Sequence, residues 1–200
     1  GINAGRLGFL TSFSANNINE LFESLHRGEY TIDERGVIEV VADGKQLINS
    51  PYALNEVAVM KHDNSSMISI ETSLGGRECI TYQADGLIIA APSGSTGYSL
   101  SAGGPIIAPD ANVFVLTPIA SHSLNARPVV VNDSTEITLK VASRSHNYLI
   151  AIDGRNEECT EEIALTLRKA HYTIKIIRIK GQTFFKTLRD KMMWGADIRN

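Results

Sequence analysis

Two hundred residues with 43% hydrophobic content can bury a core and fill one large domain. A net charge of −3 and a pI near 6.0 exclude the broad basic surface on which nucleic-acid binding leans. No apolar run reaches the ~20 residues that span a bilayer, so neither nucleic acid nor membrane is expected as a partner.

In chain order, a loop is predicted at 1–17, then a helix over 18–28, where Ile18, Leu21, Phe22 and Leu25 share a face and Gly28 follows. Asn17 or Asn19 supplies the cap. Beyond this the period drops from 3.6 to about 2. Strands are predicted at 37–42, 52–60, 67–73, 78–83, 86–91, 113–117, 128–131, 136–142, 148–152, 162–168 and 172–180. Turn formers such as Asp43-Gly44, Gly75-Gly76 and Asn132-Asp133-Ser134 punctuate them. A closing helix is predicted at 183–193, with Phe184, Phe185, Leu188 and Met192 in one stripe and basic residues in its last turn. So many short strands and so little helix imply a mainly β chain, a β-sandwich with one short helix near the start and one at the end.

Charge is unevenly spread. Residues 1–167 hold 10 Lys/Arg and 20 Asp/Glu, whereas residues 168–200 hold 9 and 2, so an acidic body (−10) precedes a basic tail (+7). Cys79 and Cys159 fall in strand surroundings without a CxxC spacing. Two buried thiols in a reducing compartment are expected, which favours the cytoplasm. The five histidines show no metal-ligand spacing; His122, between Ser121 and Ser123, is the one placed near a site. The Ser, His and Asp residues lack the GxSxG setting of a nucleophile elbow.

One segment breaks the β pattern: Ala91-Pro92-Ser93-Gly94-Ser95-Thr96-Gly97-Tyr98-Ser99-Leu100-Ser101-Ala102-Gly103-Gly104-Pro105, after the apolar strand 86–90. Small residues permit close approach, and N–H groups with hydroxyls suit a polar ligand; a tight structural turn would use the same residues. The segment matches neither GxxxxGK[ST] nor GxGxxG. Asn55-Glu56 interrupts a strand between Leu54 and Val57, and neighbours on a strand face opposite sides. Glu56 can accept hydrogen bonds from a ribose diol, and Asn55 offers a donor and acceptors. Asp85, before the apolar strand, needs a partner, and Asp153-Gly154 reads as a hairpin turn.

Taken together, Gly5-Arg6-Leu7-Gly8-Phe9-Leu10-Thr11, Leu54-Asn55-Glu56, 84–90, 94–105, Ala126-Arg127-Pro128-Val129-Val130 and 184–195 resemble the NAD kinase family in order and spacing. The resemblance covers the whole chain and corresponds to that family's carboxy-terminal part. It implies a β-sandwich that binds NAD as substrate, with ATP or another phosphate donor and Mg²⁺ serving the full enzyme, in a homo-oligomeric (dimeric or tetrameric) protein. It implies that Asn55 and Glu56 hold the adenosine and its ribose. Ser95, Thr96, Tyr98 and Ser101 correspond to the loop lining the pocket. Asp85 corresponds to an acidic residue near the nicotinamide end, reaching it from another subunit, and Asp153 to a carboxylate near the site. Phe9 and Thr11 fall beside the acceptor. By the same resemblance, 1–17 is an interdomain segment, 18–180 the NAD-binding domain, and 181–200 a segment that packs on an amino-terminal domain or a partner subunit.

Two departures stand out. Gly97 occupies a place where many relatives have alanine, which keeps the tight turn. The family's GGDG segment, with its catalytic aspartate, is not in these 200 residues. The expectation is therefore that this stretch supplies mainly NAD binding, weak if any in isolation, with no catalytic residue and no metal ligand of its own, and transfers phosphate at no useful rate alone. A lipid kinase of the diacylglycerol or sphingosine type and a non-catalytic β-sandwich module are the alternatives.

Overall fold

The computed structural model describes residues 2–3, 13–14, 18–43, 45–46, 50–63 and 66–195. The whole opening motif, 5–11, including Phe9 and Thr11, lies outside these residues. The described chain begins with short strands β1 (Ile2–Asn3) and β2 (Phe13–Ser14), paired in parallel, and helix α1 (Ile18–His26). Gly28, at φ 67°, ends the helix region in the left-handed conformation that glycine adopts without steric cost.

The strands follow: β3 (Tyr30–Arg35), β4 (Ile38–Ala42), β5 (Lys45–Gln46), β6 (Tyr52–Ala53), β7 (Glu56–Lys61), β8 (Ile68–Leu74), β9 (Arg77–Ala84) and β10 (Gly86–Ala90). A 3-10 turn over Pro92–Thr96 and helix α2 (Tyr98–Ser101) come next. The chain returns to strand in β11 (Val113–Ile119), β12 (Val129–Asn132), β13 (Ile137–Ala142), β14 (Asn147–Ile152), β15 (Arg155–Thr160), β16 (Leu165–Lys169) and β17 (Ile174–Ile179). Helix α3 (Phe184–Met192) closes it, capped by the Thr183 hydroxyl, which accepts from Lys186 N–H at 3.2 Å.

Two antiparallel sheets form the body. One is ordered β12-β11-β10-β7-β14-β15; the other runs β5-β4-β16-β13-β8-β9, with β6 also paired to β4. One face of each sheet turns to a common apolar core, where Val57, Val59, Leu87, Ile89, Ile150 and Leu116 of the first meet Ile38, Ile70, Leu139 and Leu167 of the second. Alternation along each strand makes this possible, and each fully buried Leu or Ile contributes about 2 kcal/mol. Strand β10 is buried at all five positions, because its second face is covered as well. There Ala58, Ile88 and Ala90 pack with Ala102, beyond α2.

This sandwich is one of two compact units, spanning 36–107 and 111–174; the other gathers the described parts of 1–35, 108–110 and 175–200. In the second unit β3 pairs with β17, and Asp33 receives both Arg35 (3.0 Å) and Arg178 (2.7 Å). Burial pulls the Arg35 pKa below its ordinary value, against the opposing pull of Asp33. Among the described residues, no helix is long and apolar enough to cross a membrane.

The predicted strand at 52–60 is two strands in two different sheets, broken at Leu54-Asn55. Strands β3 and β15 were not expected: Asp33, Glu34, Arg35, Arg155, Glu157 and Glu158 hide the alternation that marks a half-buried strand. The cysteines also differ from expectation, since Cys159 is buried but Cys79, on edge strand β9, is exposed.

Candidate functional site

The site grows from the start of β7. Register pairs Glu56 with Ala90 on β10, and Ala90 with Val115 on β11. Val57 faces the core, so Glu56 belongs to the opposite face of the sheet, the face that the 92–104 segment covers. That segment follows β10 directly. Ala91 N–H donates to the Asn55 carbonyl at 2.9 Å, which holds the turn against the beginning of β7.

Two glycines then fit the turn around the carboxylate. A Cβ on Gly94 would lie 2.2 Å from the Asn55 carbonyl oxygen and 2.8 Å from Glu56 Oε2. A Cβ on Gly97 would lie 3.2 Å from the same Oε2. Only residues without side chains let the backbone approach this closely. Glu56 Oε2 is buried and, among the described residues, has no hydrogen-bond partner. Burial pushes the Glu56 carboxyl pKa above the usual carboxylate range, and the nearby Asp153 adds to the rise. A buried acceptor with nothing to accept from is costly, and such groups mark places where a ligand supplies the missing donor.

The hydroxyls of the loop divide into two kinds. Ser95 is fully buried; its Oγ donates to the Pro92 carbonyl at 2.7 Å and accepts from Ile107 N–H at 3.1 Å. Ser99, also fully buried, shares a 2.9 Å hydrogen bond with Thr117 Oγ1 of β11, which pins α2 to the sheet. Gly104 fits beneath this pair, since a Cβ there would lie 2.3 Å from Ser99 Oγ. These hydroxyls build the loop. Thr96 is half-buried, while Tyr98 and Ser101 are exposed, so these three remain open to a ligand. The sequence signalled the Gly/Ser/Thr segment as a whole, but Ser99, Thr117 and Gly104 were not singled out, because their use depends on contacts across the fold.

Asp153 sits in the two-residue turn between β14 and β15, at φ 46°, followed by Gly154 at φ 77°. The hairpin expected from Asp-Gly is present, with both turn residues at positive φ. Its carboxylate also accepts hydrogen bonds from Leu54, Asn55 and Glu56 N–H at 2.7, 2.9 and 3.0 Å. Asp153 thus joins the Asn55-Glu56 corner.

Asp85 does not. It precedes β10, at the end where β10 meets Lys61, and its carboxylate pairs with Lys61 Nζ at 2.8 Å. Five residues of β7 separate Lys61 from Glu56, about 17 Å along a strand. His122 is near that far end, its N–H donating to the Gln83 carbonyl at 2.8 Å.

Segments 54–56, 91–107 and 153–154 contain no Lys or Arg. These segments therefore offer acceptors and neutral donors suited to hydroxyl and amine groups, and the cation beside them, Arg155, is engaged with the Tyr52 carbonyl at 2.7 Å. Among the described residues, no group of three or more His, Cys, Asp or Glu is placed to hold a metal ion.

An antiparallel sandwich with a cradle of acidic and hydroxyl groups at the ends of its central strands β7 and β10 has the chemistry to accept a hydroxyl-rich polar ligand. Residues 54–179 match the family described as the ATP-NAD kinase C-terminal domain. An NAD kinase of Bacteroides fragilis is 56% identical over 199 residues, covering 100% of this chain and 69% of that protein. One of Flavobacterium psychrophilum is 48% identical over 202 residues, with the same coverage. Among solved structures, yeast NADH kinase complexed with NADH superimposes with a TM-score of 0.91 over 99% of this chain and 60% of its own, at 20% identity, a likeness of fold. An NAD kinase from Archaeoglobus fulgidus in complex with ATP gives 0.79 over 96% of this chain and 72% of its own, at 29% identity. The chain belongs to the NAD kinase family, which sets aside the lipid-kinase alternative.

Proposed function

We propose that the protein phosphorylates NAD at the adenosine 2'-hydroxyl to give NADP, and that this chain supplies the wall that holds the nucleoside end. The observation that carries the assignment of the wall is Glu56 Oε2, a buried carboxylate oxygen with no partner among the described residues, enclosed by Gly94 and Gly97. A ribose diol donates the hydrogen bonds that this oxygen lacks, and Asn55 with the open groups of Thr96, Tyr98 and Ser101 serves the base and the rest of the dinucleotide. Ser95 contributes from behind, by holding the turn.

In the reaction the 2'-oxygen bonds to the terminal phosphorus of a donor such as ATP, the bond to the departing nucleotide oxygen breaks, and the hydroxyl proton passes to a base. Glu56 is assigned the diol rather than the proton. The phosphates call for positive charge that segments 54–56, 91–107 and 153–154 do not carry, and a Mg²⁺ ion finds no three-carboxylate or histidine cluster among the described residues. Asp85, paired with Lys61 at the far end of β7, is assigned to the pocket of a second copy in a homo-oligomer acting in the cytoplasm.

Calorimetric titration with NAD, repeated on Glu56→Ala, tests this reading. Saturable binding that the substitution removes is the expected result. Binding that persists unchanged in the variant would overturn the assignment of the diol to Glu56.

A further inference from the structure

Leu54 and Asn55 form the step between β6 in one sheet and β7 in the other. A chain that changes sheets leaves backbone N–H groups without ladder partners, and buried N–H groups need acceptors. Here three consecutive groups find theirs on one side chain. Asp153 Oδ2 takes Leu54 N–H at 2.7 Å, and Oδ1 takes Asn55 and Glu56 N–H at 2.9 and 3.0 Å. The backbone answers in return: Asp153 N–H donates to the Glu56 carbonyl at 3.0 Å. One residue beyond the turn, Arg155 Nη2 donates to the Tyr52 carbonyl at 2.7 Å. The β14–β15 turn thus grips the crossing segment from residue 52 to residue 56.

We infer that Asp153 is a positioning residue for NAD binding, one that fixes the Asn55-Glu56 backbone from behind and does not itself touch the dinucleotide. The inference rests on the function proposed above. Three of the roughly four acceptor sites of an ionised carboxylate are already occupied, which leaves little for a ligand. Nor does the turn require an acid. Asn-Gly and Gly-Gly satisfy two positive φ angles as well as Asp-Gly does. What asparagine does not supply is a second acceptor oxygen, and the crossing needs both. Asp153 also carries charge toward Glu56, whose pKa it raises in addition to the larger effect of burial.

Asp153→Asn separates these roles, because it keeps the turn, removes one acceptor oxygen and removes the charge. Three quantities are read on the full chain: NAD affinity from pH 4.5 to 8, the melting temperature, and amide hydrogen exchange at residues 54–56. The expected result is an affinity about tenfold weaker, the loss of one charged hydrogen bond. Exchange speeds up at residues 54–56 but not at Ile150 in β14, and the melting temperature falls by only a few degrees. The acid limb of NAD binding shifts to lower pH, since Glu56 then ionises more readily. A purely structural role would not move that limb.

Unchanged affinity, limb and exchange in Asp153→Asn would overturn the inference. So would complete loss of binding with exchange at 54–56 unaltered, which would make Asp153 a ligand contact. Glu56→Ala, titrated alongside, keeps the two readings apart. If it binds NAD as wild type does, the assignment of the diol to Glu56 fails, and if the wild-type chain does not bind NAD, its role as the wall for the nucleoside end fails, whereas the exchange rates still report on the grip. Should Asp153→Asn fold poorly, Asp153→Gly, which relieves the positive φ, is read in the same way.

Discussion

The strand pair β7–β10 ends in an acidic residue on each side, and the two are treated oppositely. At one end the Asp85 carboxylate lies partly in solvent and is paired with Lys61 at 2.8 Å. At the other the Glu56 carboxyl is tucked under a glycine turn, with one oxygen buried and unpartnered among the described residues. Identical geometry of strand and register thus supports a satisfied surface pair and an unsatisfied internal acceptor. The difference shows that the site is defined by a debt of hydrogen bonding rather than by the presence of charge.

The largest expected effect comes from closing the turn. Gly94→Ala sets a methyl 2.2 Å from the Asn55 carbonyl, a backbone atom that cannot swing aside. A loss of about 3 kcal/mol is expected, measured by denaturant titration, together with loss of NAD binding. A stability equal to wild type would show that the turn and β7 are less tightly opposed than this.

Next comes the cost of the unpartnered carboxylate. The folded-state pKa of Glu56 is raised above its unfolded value, so its favourable contribution is fully present below about pH 4.3 and is lost as pH rises through the folded pKa. Glu56→Gln should therefore be more stable than wild type at pH 7, by on the order of 1 kcal/mol, and should lose this advantage near pH 4. Melting curves at the two pH values check the sign. An advantage confined to acid pH would contradict the burial of the charge.

At the far end the effect should be smallest. Lys61→Met breaks the pair with Asp85, whose partners are only partly buried, and is expected to change stability by less than about 1 kcal/mol and to be further muted by salt. A larger, salt-insensitive loss would make the two ends of β7 more alike than their burial and pairing imply.

Much of this was legible in the residues. Alternating Val, Ile and Thr placed most strands of the sandwich, and the 91–105 segment announced itself by composition. Asn55-Glu56 stood out as polar residues in an apolar run. What was not legible depends on pairing. At Leu54-Asn55 the sequence shows a polar interruption but not that the two halves belong to different sheets, because both look like strand. Strand β15 was hidden because its Glu, Arg and Asn suit a solvated edge. Ser95 read as a ligand hydroxyl, yet a side chain spent on Ile107 and Pro92 is recognised only once those backbones are near. Likewise Asp153 announced a turn but not the three N–H groups it gathers.

That last feature bears on how the chain acquires its shape. The links from Asp153 to Leu54, Asn55 and Glu56 join residues 99, 98 and 97 positions apart. Closing so long a loop carries an entropic cost that only the intervening strands can offset, and contacts this distant form slowly. Neither local helix formation nor the β14–β15 hairpin alone can complete the cradle. Competence for NAD is thus a late property of the folding chain, reached when the first third and the last quarter of the sequence have come together.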